Sequence, residues 1–206
     1  MMFGFSKHIG GVIEYYHLED FWNACTQKEK DLLDTFKRQG LSTGATTGLT
    51  DGKPNNGLYT SKLAFFSTML GWAKSSKEYT LCDKLIEYGD KTLESSDLVE
   101  QHFYLQQVAE VYYVQREINE KAKQLCEKYA LMDVDLFPKY RKALEKAVNG
   151  LPLIKTFQRL AIMYEKDHNF ASAKRICLLA IKYGLSDSTA GGYEARLQKL
   201  EKKLHS

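Results

Sequence analysis

Three groups of residues have types and spacings that chemistry could use. Glu14, His17 and Asp20 stand at successive i, i+3 positions. On one continuous helix that spacing would align two carboxylates and an imidazole on a single face, a donor set suited to a divalent metal. No H-E-x-x-H pattern accompanies them, and surface helices carry such residues routinely, so no metal site is assigned. Cys177 and His168 offer a thiol and a base. Cys177 falls at a helix-packing position, however, where desolvation would suppress the thiolate. The stretch Gly48-Leu-Thr-Asp-Gly52-Lys53 has the outline of a phosphate-cradling loop. It fails on three counts: the glycine spacing is one residue short, Pro54 replaces the hydroxyl residue that would hold magnesium, and no strand precedes it. No catalytic residue and no cofactor is therefore expected, and the chain reads as a non-enzyme.

The composition fits that reading. The 206 residues are 44% apolar and 27% charged, an ordinary globular mixture, and the net charge is only +3 with both signs interspersed. No basic stripe of the kind that neutralises many phosphates is evident, which argues against nucleic acid as a partner. The first eighteen residues lack the continuous apolar run of a secretory leader, and no apolar run approaches a bilayer span. The expectation is a cytoplasmic chain with no membrane contact. Cys25, Cys82, Cys126 and Cys177 lie far apart with no C-x-x-C pair, and read as buried, reduced thiols.

The elements that must position any site are helices. Leu18, Phe21 and Trp22 give one short apolar face, over 18–24. Thr26-Gln-Lys-Glu29 is a capping-box pattern that opens a second helix, carrying Leu32, Leu33 and Phe36 and ending at Gly40. Residues 40–58 hold five glycines among Ser, Thr, Asp and Asn, and read as a long loop that builds no core. From Thr60 or Ser61 a capped helix carries Leu63, Phe66, Met69, Leu70 and Ala73, and Ser75-Ser76 turns the chain into a second helix through Cys82 and Ile86.

The sequence then repeats itself. Thr80–Gly89 aligns without gaps on Arg175–Gly184, matching Cys, Ile, Tyr and Gly, and Ala122–Cys126 lies more weakly on Ala173–Cys177. Between the second and third copies, Asp133–Gly150 reads as an insertion carrying an extra helix over 134–150, opened by Pro138 and closed by Asn149-Gly150. After Gly184, Ser186-Asp-Ser-Thr offers helix caps, and Leu197, Leu200 and Leu204 form a narrow stripe suited to a terminal capping helix over 185–206. One domain, 1–206, is expected: N-terminal helices over 1–39, the loop, helical repeats over 59–184 and the cap.

The best-marked copy runs from Leu153 to Gly184. Phe157, Leu160, Ala161, Tyr164, Ala173 and Ala180 recur at the spacings of two antiparallel helices with a tight turn around 166–170. Ala161 and Ala173 are small where two helix backbones approach, and Phe157, Tyr164 and Ile176 are large where the crevice needs filling. This stretch resembles a tetratricopeptide repeat, with Cys177 where an aromatic is usual and no closing Pro after Gly184. The resemblance implies an all-α fold, an irregular right-handed α-α superhelix of about three hairpins. The copies are spaced more widely than the roughly 34 residues of a regular repeat, hence the irregularity.

The resemblance also implies a function: a scaffold that binds a peptide or protein partner in the concave groove lined by the first helix of each hairpin. The groove positions would be Phe103, Gln106, Glu110 and Tyr113 in the second hairpin, and Lys155, Gln158, Ile162 and Lys166 in the third. That mixture lacks the basic set with which the family grips a terminal carboxylate. Two other readings stand beside it. One is a small-molecule or nucleotide-binding protein or enzyme with a site built from the N-terminal segment and the Gly-rich loop. The other is a structural subunit forming a homo-oligomer through exposed aromatics.

Overall fold

The computed structural model describes residues 9–40 and 48–204, and these are all-α. Inter-residue contacts group the chain into two compact units, 1–96 and 97–206.

The first unit contains α1 (Gly11–Tyr15), α2 (Glu19–Ala24), α3 (Gln27–Gly40), α4 (Lys62–Ser75) and α5 (Tyr79–Leu93). The capping box forms at α3: Glu29 N–H donates to Thr26 Oγ1 at 3.3 Å, and Thr26 N–H donates to Glu29 Oε2 at 2.7 Å. Glu29 also receives Lys84 Nζ at 2.6 Å, which ties α3 to α5. Burial works against the Glu29 carboxylate, but the hydrogen bonds from Lys84 and Thr26 outweigh it and hold its pKa below the ordinary value. Ser61 caps α4 by accepting from Ala64 N–H at 3.0 Å. α4 and α5 form a hairpin whose core is aromatic at one end, where Phe21 meets Phe65 and Phe66 edge-on and Tyr59 meets Phe65.

The Gly-rich segment differs from expectation in its described part, 48–58, while 41–47 lie outside the described residues. Leu49 is fully buried, and the segment is hydrogen-bonded to the start of α1: Gly10 N–H to Thr50 O at 2.9 Å, Val12 N–H to Leu49 O at 2.8 Å, Asn55 N–H to Gly11 O at 3.2 Å. Composition failed to indicate this because the pairing is made by backbone, and two glycines permit it. A Cβ on Gly10 would meet Gly52 O at 2.1 Å, and Gly11 takes φ +61° against Leu49 O.

The second unit contains α6 (Leu98–Tyr113), α7 (Glu120–Ala147), α8 (Lys155–Lys166), α9 (Phe170–Lys182) and α10 (Gly192–Leu204). α6 pairs with α7 and α8 with α9 as hairpins, and α10 packs on α9. Asp97 and Asn119 cap α6 and α7 through their side chains. The turns of the α4–α5 and α8–α9 hairpins are built alike. Lys77 and His168 take left-handed φ of 60° and 57°. Glu78 N–H then reaches back to Ala73 O, as Asn169 N–H does to Tyr164 O, at 2.9 and 2.8 Å. Both are Schellman closures made without glycine. The aligned glycines diverge instead: Gly184 ends α9 at φ +66°, whereas Gly89 lies buried inside α5.

Two expectations are corrected. Residues 134–150 are no separate inserted helix, because α7 runs unbroken to Ala147 with Pro138 in its interior. Pro138 lies on the exposed side and removes one rung of the helix ladder, while buried residues continue at helical spacing on the other side through Val134, Phe137, Tyr140 and Leu144. That stripe holds the helix together across the missing bond. In α10, Leu200 is buried and Leu197 half-buried, but Leu204 is 43% exposed. α9 begins at Phe170, over which Lys203 already lies, so Leu204 runs past the end of its neighbour. The missing anchor is Tyr193, fully buried and two turns before Leu200.

Cys82, Cys126 and Cys177 are each fully buried, on α5, α7 and α9, the second helices of their hairpins. Burial pushes Cys82 and Cys126 up to about 12, and Cys25 and Cys177 up to about 11, against an ordinary 9.0. Because the folded values are raised, the thiols' contribution to stability is complete below pH 9 and is lost as pH climbs toward 12. At pH 8 a thiol-specific reagent should label the native chain at least 100-fold more slowly than the urea-unfolded chain. Rapid labelling of two thiols in the native state would contradict their burial.

Candidate functional site

α6 and α8 lie side by side in the second unit and point the same way. Two polar rungs join them, with Gln106 Oε1 accepting from Lys155 N–H at 3.0 Å and Arg159 gripping Glu110 through Nε and Nη2, and a third ties α8 to the turn after α6, where Lys166 Nζ reaches Glu117 at 2.9 Å. All three span the same 49 residues of sequence, so the first helices of two successive hairpins meet in constant register. Two parallel first helices in constant register are what stacked αα-hairpins produce. The outer rung is exposed and carries little energy; the middle one is half-buried, bidentate and correspondingly stronger.

The eight predicted groove residues divide by use. Gln106 and Glu110 are committed to the rungs, and Gln158 is buried with its amide donating to Ser188 Oγ at 3.1 Å. Phe103 is 39% exposed, Lys166 is exposed, and Tyr113, Lys155 and Ile162 are half-buried. Tyr113 is held in place: the guanidinium carbons of Arg116 and Arg159 lie 3.6 and 4.3 Å from its ring centroid. The neighbouring aromatics Tyr104 and Tyr112 turn inward, as adjacent helical positions must when one of the two faces out.

Beneath this face is a polar cluster the sequence reading missed. Asp133 of α7 is fully buried and serves three donors or partners: His102 Nδ1 of α6 at 2.8 Å, Tyr140 OH at 3.1 Å and Thr156 Oγ1 of α8 at 2.6 Å. The His102 and Tyr140 rings stack at 4.6 Å. Burial, then the Asp133 charge, raises the Tyr140 hydroxyl far above its ordinary value, so it remains a donor. With His102 and Thr156 only 1% exposed and Asp133 closed off, the cluster fixes three helices to one another beneath the face. The signal was present in the spacing: Cys126, Ala130, Asp133, Phe137, Tyr140 and Leu144 continue one helical stripe straight through Pro138.

The three sequence candidates for chemistry are placed as follows. Glu14 lies in α1, His17 in a turn at φ +52° and Asp20 in α2, so a helix break separates residues that one face would have aligned. Among the described residues no three His, Cys, Asp or Glu side chains converge as metal ligands. His168 is exposed at the hairpin turn with its ring against Phe170, while Cys177 is buried with a raised pKa. In the loop, Gly48 N–H donates to Asp51 Oδ2 and Leu49 N–H to Asp34 Oδ1, so carboxylates hold the amides a phosphate would need. Lys37 Nζ, almost fully buried, is hydrogen-bonded to Gly48 O.

No described helix is long and apolar enough to cross a membrane. Comparison with protein-family models, with curated proteins and with solved structures gives no match.

Proposed function

We propose that the chain is a non-enzymatic, tetratricopeptide-like helical-repeat scaffold that holds a peptide or protein segment on the α6–α8 face. The observation that carries this reading is the constant-register ladder between α6 and α8, because it consumes the polar groups between the helices and leaves apolar ones outside. Phe103 and Ile162 then offer apolar anchors, Tyr113 a ring pre-ordered by two arginines, and the Lys155 side chain, with Lys166 at the exposed outer rung, the polar register. Aromatic anchors that need no reordering contribute disproportionately to binding. The four buried, unpaired thiols suit a reducing compartment, and we place the protein in the cytoplasm.

The test is site-specific photo-cross-linking. A benzophenone amino acid at position 103 or 162 in the full chain, irradiated in host extract, should give a discrete adduct. The same group at Lys91, an exposed residue of α5, should not. Equal adduct patterns from both placements would reject the face. A cross-link only to a second copy of the chain would favour the self-associating subunit instead.

A further inference from the structure

The opposite side of the second unit carries a different surface. α7 and α9, the second helices of their hairpins, bound an open groove of about 500 Å³. Val134 and Ile176, both buried, form its floor, and Leu131, Leu178 and Leu179 form its walls, with Leu178 47% exposed.

Cations outnumber acids at this groove. Arg175 and Lys182 line it from α9 and are separated by two helical turns, about 10.5 Å. Leu178 and Leu179 lie between them. Lys128 and Lys139 of α7 lie one turn beyond Leu131 and Asp135, on the same helix face and exposed. Asp135 is the one acid among the lining residues. Other cations of this unit are paired, among them Lys123 with Asp167, Lys174 with Glu201 and Arg196 with Glu165. Among the described residues these four have no carboxylate partner: Lys128 and Lys182 lie over the adjacent Tyr129 and Tyr183 rings, and Arg175 and Lys139 make no ion pair.

We propose that the α7–α9 groove is a second docking surface, for an amphipathic helical segment of a partner protein with acidic residues flanking its apolar stripe. Apolar side chains at i, i+3 and i+4 of such a segment fill the space over Val134 and Ile176. Two carboxylates about two turns apart meet Arg175 and Lys182. Complementary charge fixes the direction and register of the segment, and the leucines supply the burial. A nucleic acid is disfavoured by the same features, because an apolar floor and Asp135 interrupt the path its phosphates would follow. This surface stands independently of the α6–α8 face, which uses the first helices.

The experiment pans a displayed library of random 14-residue peptides on the full chain. Enriched peptides are then synthesised and measured by fluorescence anisotropy. Enriched sequences should combine an apolar i, i+3, i+4 pattern with Asp or Glu. Their affinity should fall at least tenfold for Arg175→Glu/Lys182→Glu and for Leu178→Asp, and should fall with added salt. All three positions are exposed, and unchanged thermal unfolding of the double charge reversal verifies the fold. Phe103→Ala/Tyr113→Ala should leave the affinity unaltered, which separates this groove from the other face. No enrichment of acidic peptides, or enriched peptides whose affinity survives both groove variants, overturns the proposal. A 20-nucleotide single strand that binds the wild type and is lost with the charge reversal overturns it in favour of nucleic acid.

Discussion

Replacing Asp133 by alanine lowers the unfolding free energy of the second unit by about 3–5 kcal/mol. Three side chains from three helices lose their shared acceptor at once: His102, Tyr140 and Thr156, none more than 1% exposed. Water cannot replace it without opening the α6–α7–α8 contact, so each group bears its own desolvation cost. Asp133→Asn keeps one oxygen for His102 and Tyr140, and can donate to Thr156, so it should lose less than half as much. Urea unfolding of both variants, with amide exchange followed in α6, α7 and α8, measures the difference. A shift below about 1 kcal/mol for the alanine variant would mean the cluster is not the fastening it is described to be.

Phe137→Ala should cost a comparable amount, about 3–5 kcal/mol, by removing a ring from a filled space. Phe137 is fully buried, with ring centroids of Tyr140 at 5.4 Å, Phe157 at 5.6 Å and Tyr183 at 5.0 Å. It thus joins α7 to α8 and to the end of α9. Phe137→Leu retains much of the volume and should lose well under half of that. Equal destabilisation by the two variants would indicate that aromatic geometry rather than cavity volume sets the cost.

Those two residues also show where sequence reading stopped. The helical hairpin at 153–184 was legible because small and large residues alternate at helix-crossing positions, and Thr26 and Ser61 caps were legible because capping is local chemistry. α7 was cut at Asp133 because a buried carboxylate and a proline both look like the end of a helix. Asp133 is tolerated only because His102 and Thr156, 31 and 23 residues away, satisfy it. Long-range partners of that kind leave no mark in a local window. The same holds for Leu49, whose burial depends on backbone bonds from Gly10 to Ile13. The sequence placed the eight groove residues on α6 and α8, but which of them the chain uses internally was not legible. Glu110 and Gln158 look like surface residues until Arg159 and Ser188 are placed beside them.

The central claim is that the α6–α8 face holds a partner through its outward side chains. Its most direct measurement is calorimetric titration of the partner recovered by cross-linking, against wild-type protein and Phe103→Ala/Tyr113→Ala. The account predicts at least a tenfold loss of affinity in the double variant, with its helix content and unfolding midpoint within error of wild type. An affinity equal to that of wild type, in a variant that is folded, would contradict it.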